Sequence, residues 1–256
     1  MINNNLNNYK GIILAGGKGT RLYPLTKVVS KQLLPIYDKP MIMYPLETLI
    51  RAGIKDILII TNPSDKTIFQ DLLGDGSQYD CNIYYEIQNK PEGIAQAFII
   101  AKDWLEDSNC ILILGDNIFL KGNISNKLEK AMDNNKGATL FAYEVEDASS
   151  YGVINMSDDG AVASIVEKPE NPESNYAVTG LYAYDNSVVK KAIGLKPSDR
   201  GELEITDINN KYMLENSVDV TILPKDSFWL DAGTIDSLLE ASNLIKEIKE
   251  QGEDLF

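Results

Sequence analysis

An apolar run that breaks into glycines and cations constrains this chain more than any other stretch: KGIILAGGKGTRLYPLTKVVSKQLLP, from Lys10 to Pro35. Gly11 to Ala15 reads as a buried strand. Gly16, Gly17 and Gly19 follow, with Lys18, Thr20, Arg21 and then Lys31 close behind. Glycine has no Cβ, so its backbone N–H groups can wrap an anion. Arginine and lysine beside such a loop bring charge to phosphate oxygens. The segment predicts a strand that ends in a loop able to hold a polyphosphate.

The charge distribution agrees. The chain carries a formal net charge of −14, yet residues 1–40 hold six basic residues against Asp38 alone, a local +5. The strongly acidic remainder argues against nucleic acid or an anionic membrane as partner. A small anion needs only the local positive site.

No composition shift, linker or repeat divides the 256 residues. The expectation is a tail over 1–9 and a single domain over 10–256. The start MINNNLNNY has the asparagine-rich composition of a disordered tail and lacks the apolar segment of a signal peptide, so a cytoplasmic protein is expected. No apolar stretch approaches the roughly 20 residues of a membrane span. Cys81 and Cys110 read as reduced structural residues. Histidine is absent, which excludes imidazole proton shuttles, His-dependent triads and His-ligated metals. The chemistry falls to carboxylates, lysine, arginine, hydroxyls or a hard cation.

Strand and helix patterns alternate through the first half. Strands are expected at 56–62, 82–87, 110–114 and 138–145, and helices at 41–52, 65–73, 93–105 and 124–133. This rhythm implies a parallel sheet covered by helices on both faces. The second half shifts to apolar or alternating runs at 151–156, 162–166 and 176–184, which suggest added strands, some antiparallel, in a lobe over the sheet. Residues 202–214 have helical spacing, with Glu202 as a capping residue. Residues 218–223 read as a strand. Over 234–249 a helix places Ile235, Leu238, Leu239, Ser242, Ile245 and Ile248 on one face.

Two common phosphate loops can be tested directly. A P-loop needs glycine five positions before Gly17, where Ile12 stands. A dinucleotide fingerprint needs glycine three positions after Gly19, where Leu22 stands. Both fail. On the residues alone, a third kind of phosphate loop and a structural turn are equally open. A lone aspartate such as Asp116 or Asp231 is more often a cap or turn residue than a ligand. Gln88 alone reads as an exposed polar residue, and Glu167-Lys168-Pro169 as a strand-ending turn.

The longer pattern separates these readings. AGGKGTRLYPLT and SKQLLPIYDKPMI, followed by GIAQA, LGDNIF, YGV, EKP, YAVTGLYAYD, GELEITDIN and WLDAGT, resemble the sugar-nucleotide pyrophosphorylases across residues 10 to about 245. Within that family the run is most similar to the glucose-1-phosphate thymidylyltransferase branch. The resemblance implies an α/β, Rossmann-like (GT-A-like) fold. Its mainly parallel central sheet is flanked by helices and carries an additional β-rich sugar-binding lobe. It implies transfer of a nucleotidyl group from dTTP to glucose 1-phosphate, with release of pyrophosphate and with Mg²⁺ as cofactor. UTP or another sugar 1-phosphate is the alternative, because thymine and uracil present the same hydrogen-bonding edge. A non-catalytic nucleotide-sugar sensor is the remote one.

Residue by residue, the resemblance implies a nucleotide site of Gly16, Gly17, Gly19, Thr20, Arg21, Lys31, Gln88, Gly93 and Asp116. Arg21 and Lys31 would meet phosphate oxygens, and Gln88 the pyrimidine edge. Asp116 and Asp231 would hold the metal. Asn117, Gly152, Glu167, Lys168 and Val178 would hold the sugar phosphate, with Lys168 on its phosphate. The family's nucleotide-binding C-terminal extension is not found before Phe256. The resemblance therefore supports neither feedback inhibition nor the typical tetramer here, and a homo-oligomer of another kind is expected.

Overall fold

Neighbouring residues of the first strand face two different cores, as a strand covered on both sides requires. The computed structural model describes residues 8–157 and 160–256. Among them the strands are β1 (Tyr9–Ala15), β2 (Pro35–Ile36), β3 (Lys39–Pro40), β4 (Asp56–Thr61), β5 (Asn82–Ile87), β6 (Asn109–Leu114) and β7 (Asn117–Leu120). They continue with β8 (Ala138–Glu144), β9 (Gly152–Met156), β10 (Val162–Glu167), β11 (Tyr176–Tyr184), β12 (Val218–Ile222) and β13 (Phe228–Asp231). The first helices are α1 (Met43–Arg51), α2 (Lys66–Leu73), α3 (Gln96–Ile100) and α4 (Lys102–Leu105). The others are α5 (Ile124–Asn134), α6 (Ser187–Ile193), α7 (Ile205–Leu214) and α8 (Ile235–Glu250).

One sheet runs β10-β9-β11-β6-β1-β4-β5, with β8 paired to β11 and β12 to β8. Its centre, β6-β1-β4-β5, is parallel. Ile13, Ile57, Ile59 and Ile113 pack on one face against Leu46 and Leu49 of α1, Phe69 of α2 and Leu128 of α5. Ile12, Leu58, Ile60 and Leu112 pack on the other against Phe98 of α3, Val188 of α6 and Ile208 of α7. The antiparallel additions form the β-rich lobe by continuing this sheet through β11, rather than by lying over it. No helix of the described residues is long and apolar enough to cross a membrane.

Several boundaries differ from expectation for local reasons. Tyr9 is not tail: it is buried, starts β1 and pairs with Asn109 of β6; residues 1–7 lie outside the described residues. The helix expected over 93–105 begins only at Gln96 and breaks at Ala101. Gly93 stays outside it with φ +108°, a conformation that helices exclude. Residue Glu202 is not a cap, because α7 starts at Ile205 with Glu204 before it. On α8 the buried stripe is Ala241, Ile245 and Ile248, while Ile235 and Leu239 are 50% and 61% exposed. The helix meets the small β7–β13 sheet on a narrower face than its apolar residues would allow. Both cysteines are free and buried.

Candidate active site

Parallel strands set the site because their C-terminal ends leave the sheet at one edge. Leu14 of β1 pairs with Leu114 of β6 and Ile60 of β4, so Gly16 and Asp116 emerge side by side. The glycine loop turns back on itself: Gly19 takes φ +59°, and the Thr26 hydroxyl donates to its carbonyl at 2.6 Å. Asn62, just after β4, donates to the Ser30 hydroxyl at 3.1 Å and ties down the return. The next residue, Lys31, then forms an ion pair with Asp116.

A second pairing delivers Asp231. Strand β13 runs antiparallel to β7 with Asp231 opposite Asn117, and Ala232 N donates to the Asp116 carbonyl at 3.0 Å. Gly233 leaves room for Arg21: a Cβ there would stand 2.6 Å from Arg21 Nη2 and 2.9 Å from Asp231 Oδ1. The two carboxylates respond oppositely to burial. Burial by itself would raise Asp116, but the Lys31 ammonium wins and holds it below the ordinary carboxylate range. Burial and the charge of Asp116 push Asp231 up to about 6, against smaller opposing effects of Lys31 and Arg21.

Asp116, Asp231 and Arg21 open into a cavity of about 720 Å³. Asn117, Gly152, Glu167, Lys168 and Val178 also line it. Glu167 is held on both oxygens, by Arg200 Nη2 at 3.2 Å and by the Thr206 hydroxyl. Lys168 sits at φ +42°, its ammonium 3.7 Å from Glu167. A Cβ on Gly152 would lie 3.4–3.6 Å from Thr206, Glu167 and Val178, in ordinary van der Waals contact with all three.

The residues Gly16, Gly17, Gly19, Thr20, Lys31, Gln88 and Gly93 are not on the cavity wall. Among them Gly16 packs on Gln88, Gly19 on Lys31, and Lys31 pairs with Asp116 of the wall. Gln88 is 3% exposed, and its Oε1 occupies the position, within 2.1 Å, where a Gly16 Cβ would sit. Gly93 is wedged against the Leu203 backbone, 2.4 Å from that carbonyl to an added Cβ. Asn117 is only 3% exposed and largely engaged by the protein. Its Oδ1 accepts from Trp229 Nε1 at 2.6 Å and Gly180 N at 3.1 Å, while Nδ2 donates to Asp116 Oδ1 at 3.3 Å. It positions the carboxylate beside it.

Sequence reasoning missed Arg200 and Thr206, which hold Glu167, Trp229, which holds Asn117, and Tyr151, which lines the cavity. Thr206 and Trp229 stand inside the quoted runs GELEITDIN and WLDAGT, and Tyr151 in YGV, so the motif was visible but the individual side chains were not.

The donor set suits a hard divalent cation. Asp231 Oδ1 is buried without a hydrogen-bond partner among the described residues, and a second carboxylate stands near enough to raise its proton affinity. Such a cation takes oxygen ligands and keeps several for water or phosphate. Among the described residues no group of three or more potential ligands forms, so Asp116 and Asp231 would share it with a substrate.

A glycine-loop α/β fold with paired carboxylates and cations on its open edge defines a nucleotide-handling class, and the chain belongs to the nucleotidyl transferase family, whose model matches residues 10–248. Relatives sharpen the likeness. A glucose-1-phosphate thymidylyltransferase of Xanthomonas campestris is 53% identical over 94% of this chain and 81% of its own. One from Neisseria meningitidis is 51% identical over 94% and 83%. A solved structure of a provisionally assigned glucose-1-phosphate thymidylyltransferase from Bacillus anthracis, in complex with a sucrose, superposes with TM-score 0.87 at 41% identity, over 94% of this chain and 96% of that one.

Proposed function

We propose that this chain transfers the thymidylyl group of dTTP to glucose 1-phosphate, giving dTDP-glucose and pyrophosphate, with Mg²⁺ held by Asp116 and Asp231. The observation that carries the reading is one cavity lined by Arg21, Asp116 and Asp231 together with Glu167 and Lys168. A triphosphate and a sugar phosphate both need cations, and the sugar also needs an acceptor for its hydroxyls. The names of the relatives at 51–53% identity support the choice of nucleotide and sugar. The cytoplasm, where nucleoside triphosphates are made, is the compartment this chemistry suits.

An oxygen of the sugar phosphate attacks the α-phosphorus, a P–O bond forms, and the bond to pyrophosphate breaks. A phosphate monoester has its second pKa at about 6, so the nucleophile arrives ionised and no general base is required. A chain without histidine can therefore run this reaction by positioning and charge. Arg21 takes up charge on the departing pyrophosphate, and Lys31 on oxygens near the reacting phosphorus. Glu167 accepts from sugar hydroxyls, and Lys168 pairs with the sugar phosphate. When bound, the cation neutralises triphosphate oxygens.

The test is pyrophosphate release with Mg²⁺ over dTTP, UTP, dCTP, GTP and ATP against several hexose 1-phosphates. The strongest release is expected with dTTP and glucose 1-phosphate. Release with a different pair would move the substrate assignment, and none with any pair would sink the reading.

A further inference from the structure

Gln88 is buried, yet among the described residues no donor reaches its Oε1, which faces Gly16 in the glycine loop. The orientation of this amide is not left to chance. Gln88 Nε2 donates to Gln96 Oε1 at 2.6 Å. Gln96 is itself pinned: its Oε1 also accepts from Glu92 N at 3.2 Å, and its Nε2 donates to Glu92 Oε2 at 2.8 Å. A carboxylate can only accept, so Glu92 forces Gln96 to aim its nitrogen outward and its oxygen at Gln88. Gln88 must then spend one N–H on Gln96 and present its oxygen to the loop.

We infer that Gln96 is a specificity-determining positioning residue that acts through Gln88: with Glu92 it locks the Gln88 amide so that its oxygen is offered as an acceptor to a base carrying a ring N–H. This inference rests on the placement of the pyrimidine at Gln88 that the family resemblance implies. Thymine and uracil carry a donor at N3, flanked by carbonyl acceptors. They match a fixed Oε1 and the remaining Nε2 proton. Cytosine carries an acceptor at N3, which would face Oε1 with both lone pairs opposed. A free glutamine would flip to suit either base, because its two ends have the same shape. A locked one discriminates, since a site built for one hydrogen-bond polarity leaves buried polar groups unpaired with the other.

The test compares kcat/KM for dTTP and dCTP, each with glucose 1-phosphate, in the wild type, Gln96→Leu and Gln96→Glu. Gln96→Leu removes the acceptor that holds Nε2. The dTTP/dCTP ratio is expected to fall by about tenfold or more. Gln96→Glu keeps an acceptor for Gln88 and is expected to hold the ratio within about threefold of wild type, even if its thermal stability drops beside Glu92. A ratio unchanged in Gln96→Leu would overturn the inference, as would equal relaxation in both variants. A wild type that turns over no pyrimidine triphosphate, or shows no preference for dTTP over dCTP, would instead refute the placement of the base at Gln88.

Discussion

Lys31 and Asp116 stand 85 residues apart in the chain and share one ion pair on the open edge of the sheet. Both side chains are largely buried, at 14% and 10% exposure, so each charge depends on the other. Lys31→Met is therefore expected to lower the melting temperature in a chelator, by the equivalent of about 3 kcal/mol. Added Mg²⁺ should restore part of that loss, because a cation at Asp116 and Asp231 replaces the missing ammonium. Melts of wild type and variant with and without Mg²⁺ check this; equal Mg²⁺ effects in both would contradict it.

Asp231 titrates late, at about 6 against an ordinary 3.8. Its folded pKa lies above the unfolded one, so ionising it costs stability. The cost is absent below about pH 4, grows between about pH 4 and 6, and is complete above that range. Without metal, Asp231→Asn should stabilise the fold at pH 7.5, on the order of 1–3 kcal/mol. The gain should shrink towards zero near pH 4. Chemical denaturation at the two pH values decides, and a gain independent of pH would rule the explanation out. The same variant should lose most of its turnover.

Arg21 Nη2 lies against Gly233, 2.6 Å from where a Cβ there would sit, on the side of that glycine that also faces Asp231 Oδ1. Arg21→Ala is expected to lower kcat/KM for the nucleoside triphosphate by roughly 10²–10³ with the fold intact. Gly233→Ala should reproduce much of this loss by displacing the guanidinium. Steady-state kinetics on both variants, with circular dichroism as the control, make the comparison.

Asn117 links Trp229 and Gly180 to Asp116. Asn117→Ala would strand the indole N–H and the Gly180 N–H, at a cost of about 1–3 kcal/mol for buried donors left unpaired. The apparent Mg²⁺ requirement should rise as Asp116 loses its neighbour. Trp229→Phe should produce a smaller effect in the same direction. A Mg²⁺ titration of activity that is unchanged in Asn117→Ala would show that the amide serves the fold alone.

Arg200 clamps Glu167 and also donates to Glu204 at 2.8 Å. Arg200→Ala should raise KM for the sugar phosphate more than KM for dTTP, since Glu167 is the group that loses its support. Separate substrate titrations test this, and an equal rise for both substrates would point to a general loss of structure.

The parallel centre of the sheet was legible because Ile12–Ala15 and Ile57–Ile60 are short apolar runs bounded by glycine or polar residues. Helices α1 and α2 fall within two residues of their expected bounds, while the third expected helix splits into α3 and α4. The start of α7 was not legible, because Glu202 and Glu204 are equally good residues for a helix start, and Arg200 pairs with both, at 3.9 Å and 2.8 Å. The buried face of α8 was misread because its apolar residues circle more of the helix than the β7–β13 sheet covers. Gln88 was placed in the nucleotide site by resemblance, but its partner Gln96 was passed over as an ordinary helical residue.

Local sequence determined which residues could do chemistry: a glycine loop with Arg21 and Lys31, an aspartate closing an apolar strand, and no histidine. Those properties follow from residue type and nearest neighbours, so they can be read in one dimension. What only the tertiary structure decided is which of these groups meet. The register of β1 against β6 puts the glycine loop beside Asp116, and the pairing of β13 with β7 brings Asp231 across 115 positions to join it. Long-range strand pairing is set by the packing of both sheet faces at once, and no short stretch of sequence carries that information.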